Sequence, residues 1–152
     1  MECSSKIDKI VPALLKAQSA MPAVTKDGSN PHFGSKYASL PGIFSACMPV
    51  LNKQDIFCMQ APGLAHKAGT IRLTTTLMHK SGQWISSSIY MPTGKDNAQG
   101  VGSALTYARR YSYCAMLGIV SDADDDGNAA TDKGNGGPKA GDTASDPIEE
   151  LF

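Results

Sequence analysis

The chain has 152 residues, 41% of them apolar, and carries 14 Lys and Arg against 14 Asp and Glu. This length fits one domain with a core of its own and a tail, and it leaves no room for a second enzymatic domain. The balanced charge conceals two opposite parts, because residues 1–121 hold twelve Lys and Arg against five Asp and Glu, whereas residues 122–152 hold two against nine. A body of charge +7 is typical of a surface that binds a polyanion, and a tail of charge −7 is typical of a competitor for that surface or of a segment that binds a partner.

Cysteine use and hydropathy predict a soluble, intracellular protein. The four cysteines are scattered, and no pair has the spacing of a zinc knuckle or a redox motif, so free thiols in a reducing cytosol are expected. The N-terminus lacks the cationic and apolar segments of a signal peptide. No run approaches the roughly 18 apolar residues that a membrane span needs, so no membrane partner is expected.

Helical spacing and turn formers divide the first part of the body. Ser5 and Asp8 have the spacing of a capping box, and the apolar residues that follow predict a first helix over residues 5–21. Pro12 lies inside this predicted helix. Residues 22–36 are rich in turn formers and predict a long loop.

A second helix and three strands are predicted next. Ser39 is expected to cap the helix, and Pro49 is expected to bend or end it. The hydrophobic period then changes to two, which predicts strands over residues 56–60, 70–78 and 84–91.

The last two strands form a hairpin whose register follows from the separation of apolar and polar residues. If residues 80–82 form a three-residue loop with Gly82 in the left-handed conformation, apolar residues pair with one another on one face. Those pairs are Leu77 with Ile85, Leu73 with Ile89 and Ile71 with Met91. The opposite face pairs Met78 with Trp84, Thr76 with Ser86, Thr74 with Ser88 and Arg72 with Tyr90. A loop of another length would mix the two sets, so the bulged turn is favoured.

A third helix is predicted over residues 98–117. Its apolar stripe is predicted to consist of Val101, Ala104, Leu105, Ala108, Tyr111 and Ala115. Its polar side is predicted to consist of Gln99, Ser103, Thr106, Arg109, Arg110 and Tyr113. Beyond Val120 the composition cannot bury enough surface to order, so we expect a domain over residues 1–127 and a disordered acidic tail over residues 128–152.

The adjacent arginines Arg109 and Arg110 cannot both enter a core, because burying an unpaired guanidinium costs several kcal/mol. At least one is expected to face solvent, a ligand or an acidic partner. The structural interpretation is a pair of salt bridges to Asp122 or to the aspartates at 124–126. The functional interpretation is contact with nucleic-acid phosphates, with other cations and aromatic rings nearby.

The aspartate run at residues 122–128 matches the first half of a calcium loop, but Lys133 stands where that loop needs a bidentate glutamate. A loosely bound Mg²⁺, or an acidic loop that pairs with the arginines, fits the run better, and no other cofactor is expected. The chain has no nucleophile elbow, dinucleotide fingerprint, phosphate loop or metal-spaced histidine set. We therefore predict a protein that is not an enzyme and does not hydrolyse ATP.

Several motifs, taken in order, resemble a known family. They are Asn30-Pro31-x-Phe33, Ser35-Lys36-Tyr37-Ala38-x-Leu40-Pro41, His79-Lys80-Ser81-Gly82-x-Trp84-Ile85, Gln99-x-x-Gly102-Ser103-Ala104-x-Thr106-Tyr107-Ala108-Arg109-Arg110-Tyr111, and Gly118-Ile119 with Asp124-Asp125-Asp126-Gly127-Asn128. Over about residues 4–130 the chain thereby resembles the Erf (essential recombination function) family of phage single-strand annealing proteins.

The resemblance implies an α+β fold, with an antiparallel β-sheet, packed helices and the strand-strand-strand-helix core of annealing proteins. It implies a phage protein of the bacterial cytoplasm that coats single-stranded DNA, anneals complementary strands without ATP and assembles into rings or filaments. The charge pattern fits, because annealing requires cations on the backbone while base edges stay free. Two rival functions remain: a host-factor adaptor that acts through the tip of the tail, and a metal-dependent nuclease that uses the aspartate run.

The predicted DNA-binding residues are cations and aromatic residues of the body: Arg109, Arg110, Lys36, Tyr37, Arg72, Lys80, Lys67, Tyr107 and Trp84. The two adjacent arginines are expected on phosphate, Lys36 and Tyr37 at the mouth of a groove, and Arg72 and Lys80 as secondary contacts. The predicted partner-binding tip consists of Ile148, Glu149, Glu150, Leu151 and Phe152. It resembles the phenylalanine-ended tips of bacterial single-stranded-DNA-binding proteins, which implies docking on such a host protein, another recombination factor or a neighbouring subunit.

Overall fold

A computed structural model, which describes residues 1–29, 36–95 and 97–120, confirms the predicted α+β fold. Its elements in chain order are β1 (Glu2–Cys3), α1 (Ile10–Ser19), β2 (Gly28–Ser29), β3 (Lys36–Tyr37), α2 (Leu40–Lys53), β4 (Ile56–Leu64), β5 (Thr70–His79), β6 (Trp84–Pro92) and α3 (Ala98–Leu117). The main sheet is antiparallel in the order β1-β6-β5-β4, and β2 and β3 form a separate short ribbon. The succession β4-β5-β6-α3 is the expected strand-strand-strand-helix core.

The register of the β5–β6 hairpin is the predicted one. Leu77 pairs with Ile85 and Arg72 pairs with Tyr90, and Gly82 has a φ of +85° in the turn. A left-handed glycine closes such a loop without the steric cost that a Cβ would bring. The separation of apolar from polar side chains was therefore sufficient to fix the pairing.

Strand β4 is longer than predicted, since it runs to Leu64 instead of ending near Gln60. Every residue through Leu64 has a partner on β5, and Leu64 itself pairs with Ile71. Pro62 is tolerated there because β4 lies at the edge of the sheet, where a missing N–H interrupts no ladder.

The three helices share one core with one face of the sheet. The buried cluster contains Ala13 and Ala17 of α1, Ile43, Cys47 and Leu51 of α2, Tyr113, Cys114 and Leu117 of α3, and Ile56 and Leu77 of the sheet. Where α3 crosses β5, the buried hydroxyls of Thr75 and Ser112 hydrogen-bond at 2.6 Å. This contact satisfies two polar groups that would otherwise destabilise the core.

The opposite face of the sheet, here termed the open face, exposes large side chains. By register it consists of Phe57, Met59, Ala61, Gly63, Arg72, Thr74, Thr76, Met78, Trp84, Ser86, Ser88 and Tyr90. Phe57 is 49% exposed and Tyr90 is 55% exposed. The domain therefore has two layers, with helices on one side of the sheet only.

Helix α1 begins at Ile10, so the predicted start at Ser5 and its capping box are wrong. The Gln83 side chain replaces the box: its Oε1 accepts from the backbone N–H of Lys9 at 2.8 Å and of Ile10 at 3.0 Å, and its Nε2 donates to Asp8. Because β1 joins the sheet beside β6, the chain before Ile10 is held at the sheet edge and cannot be helical.

Helix α2 is capped as predicted but does not end at Pro49. The Ser39 hydroxyl accepts from the Gly42 N–H at 3.1 Å, and the helix continues to Lys53. Burial of Leu51 beyond the proline compensates for the missing N–H. The predicted loop over residues 22–36 contains the β2–β3 ribbon, and its residues 30–35 lie outside the described residues.

The predicted apolar stripe of α3 is only partly correct. Ala104 and Ala108 are buried, but Val101, Tyr111 and Ala115 are exposed, and Tyr113 is fully buried. The reason is that Tyr113 stacks on Phe44 of α2, with ring centroids 4.4 Å apart, so the C-terminal half of α3 packs against α2 as well as against the sheet.

Within the described ranges, no helix combines the length and the apolar character needed to cross a membrane.

Candidate nucleic-acid interface

Three tyrosine rings surround the guanidinium of Arg110. Its central carbon lies 4.4 Å from the ring centroid of Tyr37, 4.9 Å from that of Tyr111 and 5.1 Å from that of Tyr107. At these distances each ring attracts the cation through its π face. One terminal nitrogen of Arg110 also donates to the Tyr111 hydroxyl at 3.2 Å.

The rings reach Arg110 from two elements. Tyr107 and Tyr111 lie one turn apart on α3, and their rings stack with centroids 6.2 Å apart. Tyr37 comes from β3, where it pairs with Gly28 of β2. A Cβ at Gly28 would lie 2.6 Å from the Tyr37 ring, so the absence of a side chain there permits this ring position.

Asp27 joins the β2–β3 ribbon to the start of α2. Its carboxylate accepts from the backbone N–H and from the hydroxyl of Ser39, both at 2.6 Å. The hydrogen bond from the Ser39 side chain, followed by that from the Ser39 backbone, lowers the pKa of Asp27. Because Ser39 also caps α2, one carboxylate positions both the helix start and the strand that carries Tyr37.

An open cleft of about 220 Å³ lies beside these residues. Its lining consists of Tyr37, Ser39, Leu40, Pro41, Thr106, Tyr107 and Arg110. We term it the Arg110 cleft. Among the described residues, the only charged side chain in its lining is that of Arg110, and the rest of the lining is aromatic, apolar or hydroxyl-bearing. Such a cleft suits an anion that carries flat or apolar groups.

Arg110 is more buried than a solvent-facing arginine, since only 8% of it is exposed. Its Nε is buried and has no hydrogen-bond partner among the described residues, and no carboxylate among them pairs with it. The rings offset part of the cost of burying the charge, but they provide no negative charge. The predicted salt bridges to the aspartates at 122 and 124–126 lie outside the described residues.

Arg109 points to a different environment from that of Arg110. Its Nε donates to Gln60 at 3.3 Å, and Gln60 donates in turn to the Arg109 carbonyl at 3.0 Å. The Arg109 guanidinium lies 5.6 Å from the Phe44 ring centroid. Burial raises the pKa of the nearby Cys58 thiol to about 11, although the positive charge of Arg109 by itself lowers that pKa. Arg109 therefore links α3 to β4 and α2 and does not line the Arg110 cleft.

The other predicted DNA-binding residues are spread over the molecule. Lys36 is exposed next to Tyr37 on β3. Arg72 and Trp84 lie on the open face, in the other layer of the fold. Lys67 is exposed in the β4–β5 loop, and Lys80 forms a 2.6 Å ion pair with Asp55. The structure thus brings together Tyr37, Tyr107 and Arg110, with Lys36 beside them.

Sequence reasoning did not include Tyr111 in the site, because it assigned that residue to the apolar stripe. The signal was available: Tyr111 follows Tyr107 by four residues and adjoins Arg110, so both rings lie on the same helix face.

The predicted partner-binding tip over residues 148–152 lies outside the described residues. Within the described ranges, no group of three or more His, Cys, Asp or Glu side chains could hold a metal ion.

Comparison with known proteins supports the family suggested by the motifs. The family model described as the ERF superfamily matches residues 10–146, which is most of the chain and extends beyond the predicted domain boundary at residue 127. At the level of the family, this match indicates a role in phage recombination or single-strand annealing and the binding of single-stranded DNA. Separate searches of curated proteins and of solved structures each found no significant match.

Proposed function

Because the chain belongs to the ERF superfamily, we propose that it anneals complementary DNA strands without ATP, and that its Arg110 cleft binds a phosphate of single-stranded DNA. The single observation that carries this assignment is the guanidinium of Arg110, which is held between three tyrosine rings and has no acidic partner among the described residues. A bound phosphate would supply the missing negative charge to the guanidinium that lines the cleft.

The chemistry of the cleft suits annealing. A cation that holds the backbone leaves the base edges free to find a complementary strand, and the exposed rings of Tyr107 and Tyr111 offer stacking surfaces that do not depend on sequence. Lys36, exposed beside Tyr37, adds a second cation at the mouth of the cleft. Binding of this kind requires neither nucleotide hydrolysis nor a base-specific pocket.

We propose further that the protein acts as a homo-oligomer in the cytoplasm of a bacterial host. A ring or filament would repeat the Arg110 cleft along a strand, so that many weak phosphate contacts combine into stable coating. The family resemblance, together with the small size of one cleft relative to a strand, supports this arrangement.

Replacement of Arg110 by lysine tests the proposal. Lysine keeps the positive charge but lacks the planar fork that the three rings orient, so we expect binding to single-stranded DNA to weaken about tenfold and annealing to slow in parallel. Lys53→Ala is the matched control, because it removes one exposed positive charge at the end of α2. Affinity is measured by fluorescence anisotropy, and annealing by energy transfer between labelled complementary strands.

Three results would contradict the proposal. Normal binding by the Arg110→Lys protein, together with weaker binding by the Lys53→Ala protein, would show that only net charge matters. Cleavage of a labelled strand in the presence of Mg²⁺ would support the nuclease alternative instead. Loss of a host partner on removal of the last seven residues, with DNA affinity intact but no annealing by the full-length protein, would support the adaptor alternative.

A further inference from the structure

We propose that the Arg72 end of the open face is a second contact for single-stranded nucleic acid, in which a base stacks on Tyr90 beside the Arg72 guanidinium. This inference rests on the proposed function for the identity of the ligand. It concerns a different layer of the molecule, and it adds Tyr90, which is one of the possible stacking rings in the sequence but is not among the predicted DNA-binding residues.

The geometry begins with one row across three strands. Gly63 of β4, Arg72 of β5 and Tyr90 of β6 are consecutive partners in the antiparallel register, so their side chains share the open face. Tyr90 is 55% exposed, and no aromatic ring among the described residues stacks on it. An exposed ring is therefore presented to solvent on the strand that neighbours Arg72.

Gly63 allows the Arg72 guanidinium to lie close to the neighbouring strand. A Cβ at position 63 would lie 3.2 Å from Nη2 and 3.3 Å from Nε of Arg72. The Nε is buried and has no hydrogen-bond partner in the part of the chain that the structure describes. Like the Arg110 guanidinium, the Arg72 guanidinium has no acidic partner among those residues. A phosphate would supply the missing negative charge.

Among the described residues, the charge on this end of the sheet is of one sign; Asp96, which follows Lys95, lies outside them. The β4–β5 loop contributes Lys67 and the segment after β6 contributes Lys95, and residues 65–69 and 93–95 contain no acid. The three strands that adjoin these segments contribute Arg72 and no carboxylate. Asp55, by contrast, precedes β4 and pairs with Lys80 at the other end of the sheet. The cations of the Arg72 end therefore attract a polyanion, and no carboxylate among the described residues of that end offsets them.

The chemistry of the face favours a nucleic acid over a second copy of this chain. Beside Tyr90, the hydroxyls of Thr74 and Ser88 bond to each other at 2.9 Å, which leaves a neutral polar surface between the ring and the sheet centre. Single-stranded nucleic acids stack their bases on exposed aromatic rings of a sheet that have an arginine alongside. Contact of this end with the same end of another copy would instead bring like charges together.

Replacement of Tyr90 by leucine removes the stacking ring and keeps an apolar side chain of similar reach. We expect affinity for an oligonucleotide of deoxythymidine to fall at least about fivefold, since one base stacked on an aromatic ring contributes at least that factor, whereas Tyr90→Phe should bind normally. Phe57→Leu is the matched control, because Phe57 has similar exposure on the same face but lies at the opposite end of the sheet from Arg72. Normal binding by Tyr90→Leu, or an equal loss in Phe57→Leu, would overturn the inference.

Photocrosslinking gives a second measurement on the unaltered protein. The protein is bound to an oligonucleotide that carries 5-iodouracil, the complex is irradiated, and the crosslinked protein is digested. We expect an adduct on Tyr90 of β6. Absence of that adduct, while the oligonucleotide is bound, would overturn the inference. A change in oligomer mass in both Tyr90→Leu and Phe57→Leu without loss of affinity would likewise overturn it and would identify the open face as a subunit interface.

Failure of this inference is distinguishable from failure of the proposed function. If Arg110→Lys weakens binding and Tyr90→Leu does not, only the second contact is refuted. If Arg110→Lys binds normally, the Arg110 cleft is refuted whatever Tyr90→Leu does. If both contacts exist, the two variants should act additively, because they lie in separate layers and share no described partner.

Discussion

At the residue scale, the position of Tyr37 depends on a carboxylate that does not itself contact the cleft. Asp27 accepts two hydrogen bonds from Ser39, and Ser39 in turn caps α2 and lines the Arg110 cleft. The ring of Tyr37 is thereby held over the guanidinium of Arg110. Arg109, the adjacent residue, is held by Gln60 instead, so two neighbouring arginines have different roles.

Asp27→Ala should lower both the melting temperature and the DNA affinity at neutral pH. The folded pKa of Asp27 is lowered, so its contribution to stability is present above the unfolded value near 3.8 and is lost as the pH falls through the folded value. The difference in melting temperature between the variant and the unaltered protein should therefore shrink in acid. Lys26→Ala, an exposed neighbour, serves as control. A difference that persists unchanged below the folded pKa would contradict this role.

At the element scale, α3 combines the sheet contact with the cleft. Its start is fixed by Asn97, whose side chain accepts from the Gly100 N–H at 2.8 Å, and its end by Gly118 in the left-handed conformation. Ser112 of the same helix bonds to β5, and Tyr107, Arg110 and Tyr111 extend toward β3. A shift of α3 along the sheet would therefore disturb the core and the cleft together.

Two glycines of α3 should respond in opposite directions to alanine. At Gly100 a Cβ would overlap the carbonyl oxygens of Lys95 and Thr93, whereas at Gly102 it would meet nothing within 4 Å. We expect Gly100→Ala to destabilise the fold by at least about 1 kcal/mol, and Gly102→Ala to stabilise it by up to about 1 kcal/mol through helix propensity. Denaturant unfolding of the two variants measures both, and equal effects would show that the close approach at Gly100 is not rigid.

At the scale of the whole molecule, charge separates along the chain and around the fold. The body carries the cations and residues 122–152 carry nine of the acids. Within the described residues, the free cations Arg110 and Arg72 lie on opposite layers, while Lys80 is neutralised by Asp55. A strand that contacts both layers would have to pass around an edge of the sheet.

Binding to single-stranded DNA should be electrostatic and largely independent of sequence. Each phosphate contact contributes about 0.7 to the slope of log affinity against log salt, so about four cations per subunit give a slope near −3. Titrations of one oligonucleotide at several salt concentrations measure the slope. An affinity that does not change with salt would exclude the phosphate contacts proposed here.

Truncation after Asn128 should preserve annealing and tighten DNA binding at low salt. An acidic segment tethered to a basic domain has an effective concentration in roughly the millimolar range, so it competes with DNA for the cations. The truncated protein should also lose a host partner that binds the apolar residues Ile148, Leu151 and Phe152. Affinity is compared at low and high salt for both proteins, and equal or weaker binding by the truncated form at low salt would contradict the shielding.

The sequence by itself determined the order of the three helices and the three long strands, the hairpin register and the family. Alternation of apolar and polar residues is a local property, so it fixed the pairing of Leu77 with Ile85 and the turn at Gly82 before any contact was known. The order of the motifs, which is a property of the linear chain, was sufficient to identify the superfamily.

Tertiary structure alone decided which predicted residues meet. Tyr113 is buried because Phe44 stacks on it. Helix α1 begins at Ile10 because the Gln83 side chain, from the hairpin, accepts from its first N–H groups. Phe44 and Gln83 are both far in sequence from the residues that they contact. Arg110 and Tyr37 come together, while Arg72 lies in the other layer, since strand register and helix packing assign each side chain to a face. Composition shows that a chain carries cations and rings, but only long-range contacts determine which of them share a surface.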